Sequence, residues 1–175
     1  MVPPPRVQTR YRPTMAVQLR PATKADLPSI QRTLFLALTW DGVPDTVTFE
    51  MAMAHPEVGR YHLEWGRPGD VGVIAEDGDA VVGTAFGRLF TEHDRGHGYV
   101  DQRTPEIAIA VEPDRIGEGI GTRMLDALEG AYRATGVEQL SLSVNLANPA
   151  MRLYERFGYT EVDRDDDSAR MLKLL

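Results

Sequence analysis

The sequence contains no cysteine. That excludes disulfides, thiolate metal sites and any mechanism that passes through a cysteine acyl-enzyme. It also lacks an apolar run approaching the roughly 18 residues of a membrane-spanning helix. The opening residues, MVPPPRVQTRYRPT, carry arginines but no apolar stretch of the kind a signal peptide needs. Their three consecutive prolines favour an extended arm, so residues 1–14 are expected to precede a domain over 15–175. Positive charge is in deficit, with 19 Lys and Arg against 26 Asp and Glu and a net charge of −7. Such a balance argues against nucleic acid as a partner and is compatible with a cationic substrate. No internal repeat and no linker divides the chain. A cytoplasmic protein with no membrane association is the expectation, and a homodimer is compatible with it.

What is present is a globular composition, 42% hydrophobic and 26% charged over 175 residues, enough for one domain with its own core. Val17 to Arg20 alternates as a short strand. Thr23 and Asp26 form a capping-box pair ahead of the periodic series Leu27, Ile30, Leu34 and Leu38, with Pro28 tolerated in the first turn. A less regular helical stretch follows from about Val47 to Trp65, broken near His55-Pro56. Val71–Ala75 and Ala80–Phe90 read as strands joined through Asp77-Gly78, a hairpin signal. After a polar loop, Glu106–Val111 is the next strand. Gly121–Thr135 is helical, with Met124, Leu125, Leu128, Ala131 and Tyr132 on one face and Gly136 as the stop. Leu140–Asn145 alternates as a strand. Ala150, Leu153, Tyr154 and Phe157 share a helix face, and two closing strands surround Asp165-Asp166-Asp167, which reads as a solvated turn. Hairpin-linked strands must be antiparallel, while the strands flanking the Gly121 helix can run parallel. The expectation is an α/β domain with one mixed central sheet flanked by helices.

The most informative segment is Arg115-Ile116-Gly117-Glu118-Gly119-Ile120-Gly121-Thr122, set between a strand and a helix. Glycines there let the backbone turn tightly and approach a ligand, and the free N–H groups of the helix start face an anion. A nucleotide-binding loop of the Walker type would need Gly-Lys-Ser/Thr, but the third glycine is followed by Thr122-Arg123. A dinucleotide fold would need G-x-G-x-x-G and a later acidic residue, and neither is found. A glycine-rich helix start that binds nothing is the remaining structural alternative.

Val111-x-Pro113 followed by this turn resembles the acyl-CoA motif of the GNAT superfamily of N-acetyltransferases, Q/R-x-x-G-x-G/A. Ile116 stands where that motif has Gln or Arg, with Arg115 one position early. Asn148-Pro149-Ala150-Met151-Arg152-Leu153-Tyr154 through Gly158-Tyr159 is similar to the superfamily's N-x-x-A-x-x-L-Y-x-x-x-G-F segment, with the Asn one residue closer to the Tyr. The likeness spans about residues 17–174. It implies acetyl-CoA as cosubstrate, held by residues 116–122 (Ile116, Gly117, Glu118, Gly119, Ile120, Gly121 and Thr122). It also implies a splayed, bulged central strand whose Ile109, Ala110 and Val111 contact the pantetheine arm. Either Asn148 or Asn145 would contribute a further contact. No metal is implied.

Acyl transfer from a thioester to an amine requires a deprotonated amine, a polarised carbonyl and a proton for the departing thiolate. Tyr154, a phenol protonated at neutral pH, matches the superfamily's proton donor, although its helical position equally suits a core tyrosine. Glu106 opens the central strand where the histone-acetyltransferase branch has its general base. A solvated strand-end charge is the other reading, and a basic role needs burial or a water relay. His93 and His97 lie in a loop with no third ligand nearby and read as solvated side chains. The implied reaction is acetyl transfer to a primary amine in a direct ternary complex, with a small-molecule or peptide acceptor. A non-catalytic acyl-CoA-binding regulatory domain is the alternative. The acceptor's walls are expected from residues 39–66 and 91–104.

Overall fold

A computed structural model describes residues 16–42 and 46–175. The arm expected over residues 1–14 lies outside the described residues. A seven-stranded sheet runs in the order β1-β2-β3-β4-β5-β7-β6. Its strands are β1 (Gln18–Pro21), β2 (Val71–Asp77), β3 (Ala80–Arg88), β4 (Glu106–Val111), β5 (Gln139–Asn145), β6 (Thr160–Arg164) and β7 (Ser168–Leu174). All neighbours pair antiparallel except β4 and β5, which are parallel and joined through the glycine turn and a helix. The sheet is therefore mixed, as the alternation of hairpins and a crossover requires.

The helices form where the sequence signals them. Thr23 and Asp26 make the capping box, but the box closes a short 3-10 turn over Lys24–Asp26 that leads into α1 (Leu27–Leu38). On α1 the buried residues are Ile30, Thr33, Leu34 and Phe35, while Leu38 is 51% exposed. The buried stripe therefore ends before Leu38. His55-Pro56 divides the next stretch into α2 (Phe49–Ala54) and α3 (Pro56–His62): proline cannot supply the amide that would continue α2, and it is tolerated as the first residue of α3. At the β2–β3 hairpin, Asp77 pairs with Ala80, so Gly78 and Asp79 are the central residues, with Gly78 at φ 62°. Asp77 belongs to the strand rather than to the turn.

Two cores cover the two faces. One joins α4 (Ile120–Ala134) and α5 (Met151–Arg156) to the sheet through Met124, Leu125, Leu128, Leu140, Leu142 and Tyr154. The other joins α1 and α3 to the opposite face through Ile30, Leu34, Tyr61, Trp65, Phe86 and Phe90. Arg88, fully buried, ties this second layer together. Its guanidinium makes a bidentate pair with Asp70 at 2.9 and 2.6 Å and donates to the carbonyls of Arg60 and Leu63. A buried charge is tolerated only when paired and hydrogen-bonded in this way.

Candidate active site

β4 and β5 are in register at one pair, Glu106 with Ser141, and diverge beyond it. The amide of Ser141 donates to the carbonyl of Pro105 at 3.0 Å, which closes the fork at that end. Among the described residues, β4 has no register partner on the side facing β5 from Ile107 to Val111, while its other edge pairs with β3 residue for residue. Ile109, Ala110 and Val111 therefore lie along an open cleft, half-buried. The expected bulge is not found: the β3–β4 register is unbroken, and the cleft comes from the divergence of the parallel pair alone.

At the open end of the fork stands the glycine turn. Gly117 and Gly119 have φ of 91° and 76°, and a side chain added to either would meet open space. These positive angles are why glycine is needed here. Gly119 caps α4 without a side-chain bond, and the first amide with an intrachain partner is that of Arg123, which donates to the Gly119 carbonyl. Among the described residues the amides of Gly119, Ile120, Gly121 and Thr122 have no partner, a cradle for an anion reinforced by the helix dipole. Arg115 is not part of this cradle, because its guanidinium pairs with Asp77 and Glu118. Glu118 is engaged with Arg115 in turn, and Ile116 is 72% exposed. Gly121 differs from the other two glycines: a methyl there would meet Leu153 Cδ2 and Val111 Cγ2 at 3.7 Å, so it is where β4, α4 and α5 converge.

Both asparagines serve local turns through their carbonyl oxygens. Asn145 Oδ1 accepts from the Ala147 amide, and Asn148 Oδ1 accepts from the Ala150 amide, each at 2.9 Å. Tyr154 lies on α5, 6% exposed, with its ring edge-on to Tyr159 at 5.8 Å. Burial pushes its phenol above the usual range, so it is protonated at neutral pH.

Glu106, at the closed end of the fork, is 5% exposed. Tyr61 donates from its hydroxyl to Glu106 Oε1 at 2.8 Å, and among the described residues Oε2 has no hydrogen-bond partner of good geometry. Burial pushes the carboxyl up to about 7, against the opposing pull of the Gly98 amide, the Tyr61 hydroxyl and the guanidiniums of Arg170 and Arg60. The strand-end residue is thus enclosed rather than solvated, and its proton equilibrium sits at physiological pH.

The loop between β3 and β4 closes over it. A side chain on Gly96 would overlap Glu106 Oε2, and one on Gly98 would meet the Leu142–Ser143 backbone at 2.6 to 2.9 Å. His97, between them, donates its amide to Tyr61 at 2.7 Å and stacks its ring on Tyr61. Outside Gly96 lies a cavity of about 590 Å³, lined by Glu92, Arg95, Tyr99, Asp163 and Arg170 among others. The sequence reading anticipated the loop's contribution but missed Tyr61, Gly96, Gly98 and the β6–β7 wall. A glycine pair two apart in a polar loop was the one available signal.

The sequence profile of the acetyltransferase (GNAT) family matches residues 38–159. The chain belongs to this family. Among curated proteins, a mycothiol acetyltransferase of Propionibacterium freudenreichii subsp. shermanii is 31% identical over 121 residues. That match covers 63% of this chain and 37% of the relative, so this family member spans little more than a third of the relative's length. Among solved structures, a phosphinothricin acetyltransferase from Sinorhizobium meliloti in complex with AcCoA superposes with a TM-score of 0.61 and 27% identity, covering 92% of this chain and 89% of that one. The PaiA N-acetyltransferase from Thermoplasma acidophilum, in complex with coenzyme A, gives 0.67 with 15% identity over 92% and 100% of the two chains. The second likeness is one of fold. The cleft and the orphan amides of this GNAT chain fit a ligand that has both an amide-bearing arm and a phosphate group.

Proposed function

We propose that this chain is an N-acetyltransferase that moves an acetyl group from acetyl-CoA to a primary amine on a small molecule or peptide, in a direct ternary complex. The observation that carries the reading is Glu106: an enclosed carboxyl with one oxygen unpartnered, titrating near 7, at the closed end of a strand fork and beneath a cavity. Strongly shifted groups in such a position are candidates for proton transfer.

Acetyl-CoA, when bound, supplies the activated acyl group. The amides of Gly119 to Thr122 bind its pyrophosphate, with the positive φ of Gly117 and Gly119 letting the backbone come close. The unpaired edge of β4 at Ile109, Ala110 and Val111 binds the pantetheine amides as an extra strand would. Glu106 receives the proton of the ammonium group; being enclosed, it does so through a water. Tyr154 donates its hydroxyl proton to the sulfur that leaves, a role its raised pKa keeps available at neutral pH. With no cysteine in the chain, a cysteine acyl-enzyme is excluded and direct transfer is the simpler route.

The test is release of free thiol from acetyl-CoA in the presence of a broad panel of amines. Turnover with at least one amine, lost in Glu106→Gln at neutral pH, is the expected result. CoA binding with no turnover on any amine would overturn the enzymatic reading in favour of an acyl-CoA-binding regulatory domain.

A further inference from the structure

We propose that Tyr61 is the positioning residue for Glu106: its hydroxyl fixes Oε1, which leaves Oε2 as the oxygen that receives the acceptor's proton. The inference rests on the reading of Glu106 as general base.

A phenol has one proton to give. Tyr61 accepts from the His97 amide at 2.7 Å, and that amide can only donate, so the Tyr61 proton cannot point towards it. The proton points to Glu106 Oε1, 2.8 Å away. Oε1 is therefore occupied as an acceptor whether Glu106 is ionised or not. A proton arriving at the carboxylate goes to Oε2, which has no hydrogen-bond partner of good geometry among the described residues.

The surroundings hold this arrangement still. Tyr61 is 8% exposed, packs edge-on against Phe90 at 4.9 Å and lies under the His97 ring. Burial, and then the adjacent Glu106 charge, push the Tyr61 phenol up, so it remains a donor across the working pH range. Gly96 bounds the other side, lying so close to Oε2 that a side chain there would overlap it. The remaining groups that face Glu106 are Arg60 from α3, Arg170 from β7, the Gly98 amide from the loop and, on the same sheet face, the Ser141 hydroxyl from β5. The two arginines favour the ionised form, but they have carboxylate partners of their own, Asp94 and Asp163. Among the described residues Tyr61 supplies the one side-chain hydrogen bond to the carboxyl, and it goes to Oε1. Because His97 is part of the loop bounding the cavity, the same hydrogen-bond chain also links the cavity wall to the base.

The experiment compares pH profiles of kcat/KM for the full chain, Glu106→Gln and Tyr61→Phe, using an amine that is turned over. The full chain should show an acidic limb near pH 7, and Glu106→Gln should abolish it. Tyr61→Phe removes a donor to the ionised form, so its limb should move up by about one pH unit. At pH 7 that lowers kcat/KM about fivefold, while the high-pH plateau stays within about twofold. Replacing Tyr61 by 3-fluorotyrosine, a stronger donor of nearly the same shape, should move the limb down. If Tyr61→Phe fails to fold, the fluorinated chain decides the matter. If no amine is turned over, the Glu106 carboxyl titration followed by ¹³C NMR in the full chain and the Tyr61 variants gives the same comparison. A limb that stays in place in the Tyr61 variants while Glu106→Gln abolishes it would overturn the role of Tyr61. A limb that survives in Glu106→Gln would instead remove Glu106 as the base.

Discussion

Glu106 on β4 and Ser141 on β5 are register partners, and the two strands part at that pair. The pair separates two tasks within a few residues of one strand. Beyond Glu106, β4 runs along an open cleft with its edge free for a ligand's amides. At Glu106, the strand is closed over by Gly96 and Gly98, and a carboxyl is held out of water. β5 stays anchored in the sheet after leaving β4 because its other edge pairs with β7 from Gln139 to Asn145.

The glycine turn predicts a separation of folding from binding. Gly119 sits at φ 76°, and a side chain added there would project into open space. Gly119→Val should therefore fold, with a stability loss of about 1–2 kcal/mol from the left-handed backbone. CoA should raise the melting temperature of the unaltered chain in a concentration-dependent way, and in the variant that rise should disappear. Gly121→Val is not equivalent, because its side chain would press on Leu153 and Val111. A Gly119→Val chain that is still stabilised by CoA to the same extent would show that the turn does not bind it.

Tyr154→Phe keeps a ring packed against Tyr159 and removes one hydroxyl. If that hydroxyl protonates the departing thiolate, kcat should fall by roughly 10²–10⁴ under conditions where chemistry limits the rate. Stability should change by no more than about 1 kcal/mol, the worth of one neutral hydrogen bond. Unchanged turnover would take Tyr154 out of the mechanism, and collapse of the fold would make it a core residue only.

Glu106→Gln should lose activity and gain stability. The folded carboxyl titrates at about 7 against an ordinary value of 4.5, with burial as the main cause. Between these values the folded state binds more protons than the unfolded one, so stability falls as pH rises through that window. The full shift corresponds to about 3 kcal/mol of destabilisation by pH 8, an upper bound. The glutamine variant avoids this cost, so its melting temperature should exceed that of the unaltered chain at pH 8 and match it at pH 4. An equal difference at both values would mean that the enclosed charge is not the source of the effect.

Much of the fold was legible because it depends on neighbours in sequence. The capping box, the proline break between α2 and α3, the amphipathic face of α4 and the start and end of β4 each depend on a few adjacent residues. Where the reading slipped, a longer-range cause was at work. Leu38 continues the apolar period of α1 but lies beyond the packed surface. Arg115, one position early for the motif's Gln or Arg, is engaged by Asp77, 38 residues earlier.

The sequence by itself determined the order of the elements, the glycine turn with its positive backbone angles, and the exclusion of disulfides and cysteine chemistry. These follow from residue type and local sterics. Only the tertiary structure decided that Glu106 is enclosed, that Tyr61, 45 residues away, holds one of its oxygens, and that the β6–β7 hairpin helps to wall the cavity. The reason is physical. A carboxyl's proton affinity is set by the water removed from it and the donors brought to it, and both depend on which distant segments pack together.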